Sequence, residues 1–155
     1  MAITHKDRIK SLCQKLVQLS TQARSRLNSA FEEVYTLASS RMDEQLGSSG
    51  YGDYVALAVD DAYSRDAEYS SLTAGLRKLR MLETAEAYYT LYYFVLSLKE
   101  FQDKTVMLDL QEFGEGRLNP SEVDNLFHLR NGLLKEGDTI CAKYGYSGNV
   151  NVGSV

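Results

Sequence analysis

Proline is almost absent from this chain: Pro120 is the one example among 155 residues. That excludes proline-rich linkers and polyproline recognition segments, which depend on repeated prolines for their stiffness. Tryptophan is missing altogether, and the two cysteines, Cys13 and Cys141, lie far apart. Neither has a CxxC or Cys/His neighbour, so there is no zinc set and no disulfide scaffold. Each falls among apolar residues at helical spacing, as a small buried hydrophobe in a reducing compartment would. Positive charge is also in deficit. With 17 Lys and Arg against 21 Asp and Glu the net charge is −4, which gives no overall attraction to phosphate, the main source of affinity for nucleic-acid binders. Long apolar runs are lacking too. The most apolar stretch, Ala87 to Leu98, is well below the ~20 residues needed to cross a bilayer, and the N-terminus has no apolar signal-peptide region. A soluble, intracellularly made protein is expected.

What remains is ordinary globular material, 44% hydrophobic and 25% charged, of a length that suits one domain with a real core. Catalytic patterns are hard to find. His5 and His128 are the only histidines, and both read as surface or satisfied-core residues. The chain has no HExxH, no GxSxG elbow and no paired ExxH motif. Gly47-Ser48-Ser49-Gly50-Tyr51-Gly52 lacks the Gly-Lys-Ser/Thr ending of a phosphate loop and does not fit GxGxxG. It reads as the clearest loop in the chain. Asp60-Asp61 and Glu83/Glu86 are acid pairs of a kind that helix surfaces supply freely. The locally basic residues His5, Lys6, Arg8, Lys10, Lys15, Arg24 and Arg26, and the run Arg77-Lys78-Arg80, read as solvated helix faces. No enzyme, metal or cofactor is expected.

Helical periodicity dominates. Thr4 with Asp7 has the form of a capping box, and an apolar stripe then runs through Ile9, Leu12, Cys13, Leu16, Val17 and Leu19/Ser20. It continues through Ala23, Leu27, Phe31, Val34, Leu37/Ala38 and Met42 to Leu46. Residues 5–45 read as one long helix or two nearly collinear ones, with a break or kink at Asn28-Ser29. Asp53 is a good N-cap for the next helix, and Ser70-Ser71 marks a break before a longer one over 72–102. That helix is apolar nearly all round, so it must be buried on every side, within its own fold or against other subunits. Thr105–Leu110 reads as a short extended segment, in competition with a helix tail. Gly114–Pro120 is a loop, and Ser121 opens a last helix that runs to Tyr144, with Gly145 as its stop. Gly132 and Gly137 inside it are either close-packing positions or tolerated defects. The expected fold is mainly α: an elongated helical bundle over 1–145 around a long central helix, followed by an extended tail over 146–155.

Two features point outward. Tyr88, Tyr89, Tyr92 and Tyr93 occupy adjacent faces of the long helix, and tyrosine suits subunit interfaces because its ring can be buried while its hydroxyl reaches water. The alternative is a core helix whose hydroxyls find partners at the rim. The tail alternates Val with Asn and Gly, and such a segment can add to a partner as an extended strand.

The helix LRMLETAEAYYTLYYFVLSL over Leu79–Leu98, the loop Gly114–Pro120, the helix Ser121–Tyr144 ending NGLLKEGDTICAKYG, and the polar extended tail together resemble the head-to-tail connector, or adaptor, proteins of tailed bacteriophages. The resemblance covers about half of the chain; the helix over 5–45 is longer than that family's pattern. It implies a small, mostly helical virion protein of the neck that forms a ring, commonly dodecameric, beneath the portal protein. Such a ring completes the DNA-filled head and offers a platform to tail or neck proteins, and DNA passes through it without sequence-specific binding. An acidic balance suits such a conduit. The resemblance implies that Tyr146, Asn149, Val150, Asn151, Val152 and Val155 dock onto the portal, with the four tyrosines between subunits. The main alternative is a cytoplasmic helical-bundle binding module of chaperone or effector-binding type, which would use the tyrosine face for a single partner. A nucleic-acid regulator using the basic N-terminal helix comes third.

Overall fold

The computed structural model describes residues 5–59, 74–108 and 119–145, all in helices and the short turns between them. The helices are α1 (His5–Leu16), α2 (Thr21–Val59), α3 (Ala74–Leu108), α4 (Pro120–His128) and α5 (Arg130–Ile140), the last closed by a π-helical turn over Cys141–Gly145. No strand occurs among the described residues, and no helix among them is long and apolar enough to cross a membrane. The mainly-α bundle read from periodicity is therefore what the chain forms.

At 35 residues, α3 is about 52 Å long at 1.5 Å per residue, and each of the other four helices packs against it. Between Leu76 and Leu98 none of its residues is fully exposed. Most of the apolar circumference is thus covered within the chain itself, with Met81, Tyr88, Tyr92 and Tyr93 only partly buried. Two core clusters lie in succession along this rod. One joins Ile9 and Cys13 of α1, Leu27, Phe31 and Val34 of α2, and Leu91, Phe94, Val95 and Leu98 of α3 to Val123, Leu126 and Leu133. The other joins Met42, Leu46, Tyr54 and Ala58 of α2 to Leu79, Leu82 and Tyr89 of α3, with Cys141. Both cysteines are buried free thiols.

Several boundaries differ from those read in the sequence, each for a local physical reason. The N-terminal stripe does not form collinear helices. Val17–Ser20 is non-helical, and α1 folds back along α2, so that Lys6 meets Glu32 at 2.8 Å and the Lys10 ammonium lies 4.9 Å from the Phe31 ring centre. Asn28-Ser29 is uninterrupted helix with both residues exposed; their side chains face water and do not compete with the backbone. The glycine-rich stretch narrows to one residue. Gly47 alone leaves the helical region, at φ 76° and ψ 161°, a conformation that costs glycine nothing. Helix resumes at once, so Asp53 lies inside it and caps nothing. Thr105–Leu108 continues α3 in place of an extended segment, because each further helical residue adds a hydrogen bond, while the β-branched Thr105 and Val106 cost only a few tenths of a kcal/mol each. Residues 109–118, the expected break at Ser70-Ser71 and the tail 146–155 lie outside the described residues.

The last helix starts one residue before Ser121. Asn119 is its cap, accepting the Ser121 N–H at 2.8 Å, and Pro120 takes the first helical position, where its missing N–H costs nothing. The helix then splits at Leu129, whose N–H turns back to the Leu126 carbonyl at 2.9 Å. Gly137 is the close-packing glycine of the pair. A Cβ built there would lie 2.5 Å from Cε1 of Tyr89, whereas one at Gly132 meets nothing within 4 Å. Gly137→Ala is therefore expected to lower the unfolding free energy by about 1–3 kcal/mol through overpacking. Gly132→Ala should raise it by up to about 1 kcal/mol. Urea denaturation midpoints of the two variants check both signs.

Candidate functional site

A helix apolar nearly all round leaves no solvated side for its charges. Glu83 and Glu86 of α3, one turn apart, are only 2% and 1% exposed. A buried carboxylate is tolerable only when it is paired and hydrogen-bonded, and α1 and α2 supply the partners. The His5 imidazole lies between the two, its Nδ1–H donating to Glu83 Oε2 at 3.0 Å and its Nε2–H to Glu86 Oε1 at 3.1 Å. Arg8, one helical turn along α1 and 5% exposed, brings Nη1 to 3.7 Å from Glu83 Oε2. From α2, the buried Tyr54 hydroxyl donates to Glu86 Oε1 at 2.5 Å, and the Ser39 hydroxyl donates to Glu86 Oε2 at 2.7 Å.

The cluster is a neutral quartet of two carboxylates, one guanidinium and one imidazolium, closed by two hydroxyls. Burial lowers the His5 pKa, but the hydrogen bonds and charges of Glu83 and Glu86 outweigh it, and the value rises from 6.5 to about 9. His5 is thus cationic at neutral pH. Burial together with the Glu86 charge pushes the Tyr54 phenol well above its ordinary value, which keeps it a donor. Glu86 sits between Ala85 of one core cluster and Ala87 of the other, so the quartet is a polar seam where the two meet. Each nitrogen of His5 faces a different carboxylate, and among the described residues no group of three His, Cys, Asp or Glu side chains is placed to hold a metal ion.

A second polar contact joins α2, α3 and α5. Arg41 Nη2 reaches both oxygens of Asp138 at 3.0 and 2.9 Å, and the Tyr89 hydroxyl donates to Asp138 Oδ1 at 2.5 Å. Cys141 Sγ is 3.6 Å from that hydroxyl and 3.8 Å from Met42 Sδ; burial pushes its thiol up to about 11. A third contact fixes the turn before α2, where Glu122 of α4 accepts the Ser20 N–H at 2.9 Å and the Ser20 hydroxyl at 2.5 Å. Beside it an open groove is lined by Val17, Gln18, Gln22, Asn125 and Leu129, the last 46% exposed.

Sequence reasoning places four tyrosines on a partner-facing surface. Tyr89 is fully buried between α3 and α5, which corrects that assignment for this residue: its ring fills the space left by Gly137. Tyr88, Tyr92 and Tyr93 are half-buried. Tyr92 and Tyr93 meet edge to face at 5.0 Å and 73°. With Met81 and Thr84, Tyr88 and Tyr92 form a half-exposed line along α3. The tail residues Tyr146, Asn149, Val150, Asn151, Val152 and Val155, and the pair Asp60-Asp61, lie outside the described residues. Of the basic residues assigned to solvated faces, His5 and Arg8 are instead members of the quartet, with Arg8 buried. His128 is exposed, its Nδ1–H donating to the Asp124 carbonyl at 2.7 Å. Sequence reasoning misses the quartet itself, because Glu83 and Glu86 read as a surface pair. The signal that could reveal it is their position within an otherwise apolar helix.

No protein-family model, curated protein or solved structure matches the chain.

The sign of the His5 effect sets a pH dependence. A folded pKa above the unfolded value means that the contribution is full below pH 6.5 and is lost as pH rises through about 9. The shift corresponds to about 3 kcal/mol. Urea unfolding at pH 6 and pH 9.5 is expected to show a loss of that order in the wild type relative to His5→Gln, the difference cancelling other groups. Glu86→Gln, which leaves the quartet with an uncompensated cation, should cost about 3–5 kcal/mol at pH 7.

Proposed function

We propose that the chain is a structural protein of the head-to-tail connector kind, a ring-forming component of a tailed-phage neck that docks beneath the portal, closes the DNA-filled head and presents a platform to tail proteins. The observation that carries this reading is the arrangement of the segments that bear the resemblance. Leu79–Leu98 is the middle of the central helix α3, and 121–144 folds back along it as α4, α5 and the π-helical turn. Gly145 then stands at the root of the ten-residue tail 146–155. In a ring, the half-exposed line of Met81, Thr84, Tyr88 and Tyr92 faces a neighbouring copy, and the tail engages the portal. The net charge of −4 keeps DNA from adhering to the conduit.

Recovery of the tagged chain from its native host, with mass spectrometry and negative-stain imaging of the eluate, tests the proposal. The expected outcome is co-recovery with portal and capsid proteins in rotationally symmetric rings. Deletion of 146–155 is expected to abolish portal recovery while the helical circular-dichroism signal per residue of the bundle is retained. Recovery with one cytoplasmic partner and no ring would overturn the connector reading in favour of a helical binding module.

A further inference from the structure

Between residues 5 and 46 the chain contains neither glycine nor proline, yet it reverses direction at Val17–Ser20. Nothing in that turn forbids helix, and the apolar periodicity runs straight through it. The reversal is held by side chains. Ser20 Oγ accepts the Ala23 N–H at 3.1 Å as the cap of α2, and Glu122 of α4 clasps the same serine through both its N–H and its hydroxyl. Straightened, residues 5–46 would form one helix of about 63 Å, which would carry α1 away from its own bundle.

The seat that α1 occupies is specific. It offers two buried carboxylates, Glu83 and Glu86, that require His5 and Arg8, and the Ala87 carbonyl, which takes the Cys13 thiol at 3.5 Å. A vacated seat would leave buried anions without their cations, and the chemistry that satisfies them is that of another α1. We propose that α1 is an exchangeable arm: in the assembled protein the helix straightens through Val17–Ser20 and α1 of one copy fills the seat of the next. Passed in one direction around a closed set of copies, such an exchange makes a ring. This inference rests on the homo-oligomeric reading given above.

The test uses the full chain carrying Lys6→Cys and Glu32→Cys, an exposed pair that meets across the α1–α2 contact, while the native thiols are buried. A short bis-maleimide then joins the two positions within one copy or between copies, as denaturing gels report. Sedimentation velocity gives the oligomer content. In this background Ser20→Ala with Glu122→Ala, which removes cap and clasp, is expected to raise the oligomer fraction on the order of tenfold and to turn intramolecular links into intermolecular ones. Gln18→Gly, which weakens a continuous helix, should shift the equilibrium roughly fivefold the other way. Should the double variant fail to fold, Glu122→Gln alone is expected to act in the same direction more weakly. A clasp variant that stays monomeric with internal links, or that loses the links without gaining oligomer, overturns the arm. Oligomers linked only internally also overturn it, but leave the ring reading standing.

Discussion

The fold is organised around the neutralisation of two carboxylates on a buried helix. Glu83 and Glu86 ride on α3, a helix that must be covered on every side because its residues are apolar nearly all round. Covering it buries the two charges as well, and they can be buried only where His5, Arg8, Tyr54 and Ser39 converge. Within one copy, that convergence goes with α1 folded back on α2 and with the kink of α2 at Gly47, which bring His5 and Tyr54 to Glu86. Replacing such a cluster with apolar residues of similar volume is often neutral or stabilising in other proteins. Its contribution here lies in register: it fixes three helices at one level of the rod.

The same logic links the other polar contacts. Arg41, Asp138 and Tyr89 fix α2, α3 and α5 at the level of Gly137, and Ser20 with Glu122 fixes the first turn against α4. Dispersion and burial hold the helices together, but they are non-directional. The three polar contacts are directional, so each selects one sliding position among several that would bury similar area.

Much of the helical content is legible in the residue pattern. Within the stripe from Ala23 to Leu46, Ala23, Leu27, Phe31, Val34, Ala38, Met42 and Leu46 form the buried line of α2, while Leu37 faces water at 46% exposure. The encirclement of α3, the terminal helix and the burial of both cysteines also follow from pattern. The turns are less legible, because their causes are remote in sequence. Val17–Ser20 turns where Glu122, about a hundred residues away, meets Ser20; no local motif carries that information. The Gly47–Gly52 stretch contains three glycines, and only the φ of Gly47 requires one.

Sequence alone therefore determined that this chain makes long amphipathic helices, that one of them is apolar nearly all round, and that its net charge is −4. Those properties are local or additive, set by the 3.6-residue period and by composition. Only the tertiary structure decided which charges are buried, that Tyr89 belongs to the core against Gly137, and where the N-terminal helix turns. Each of these depends on a pairing between residues about fifty to a hundred positions apart, and such pairings exist only once the helices have been brought to the same level of the rod.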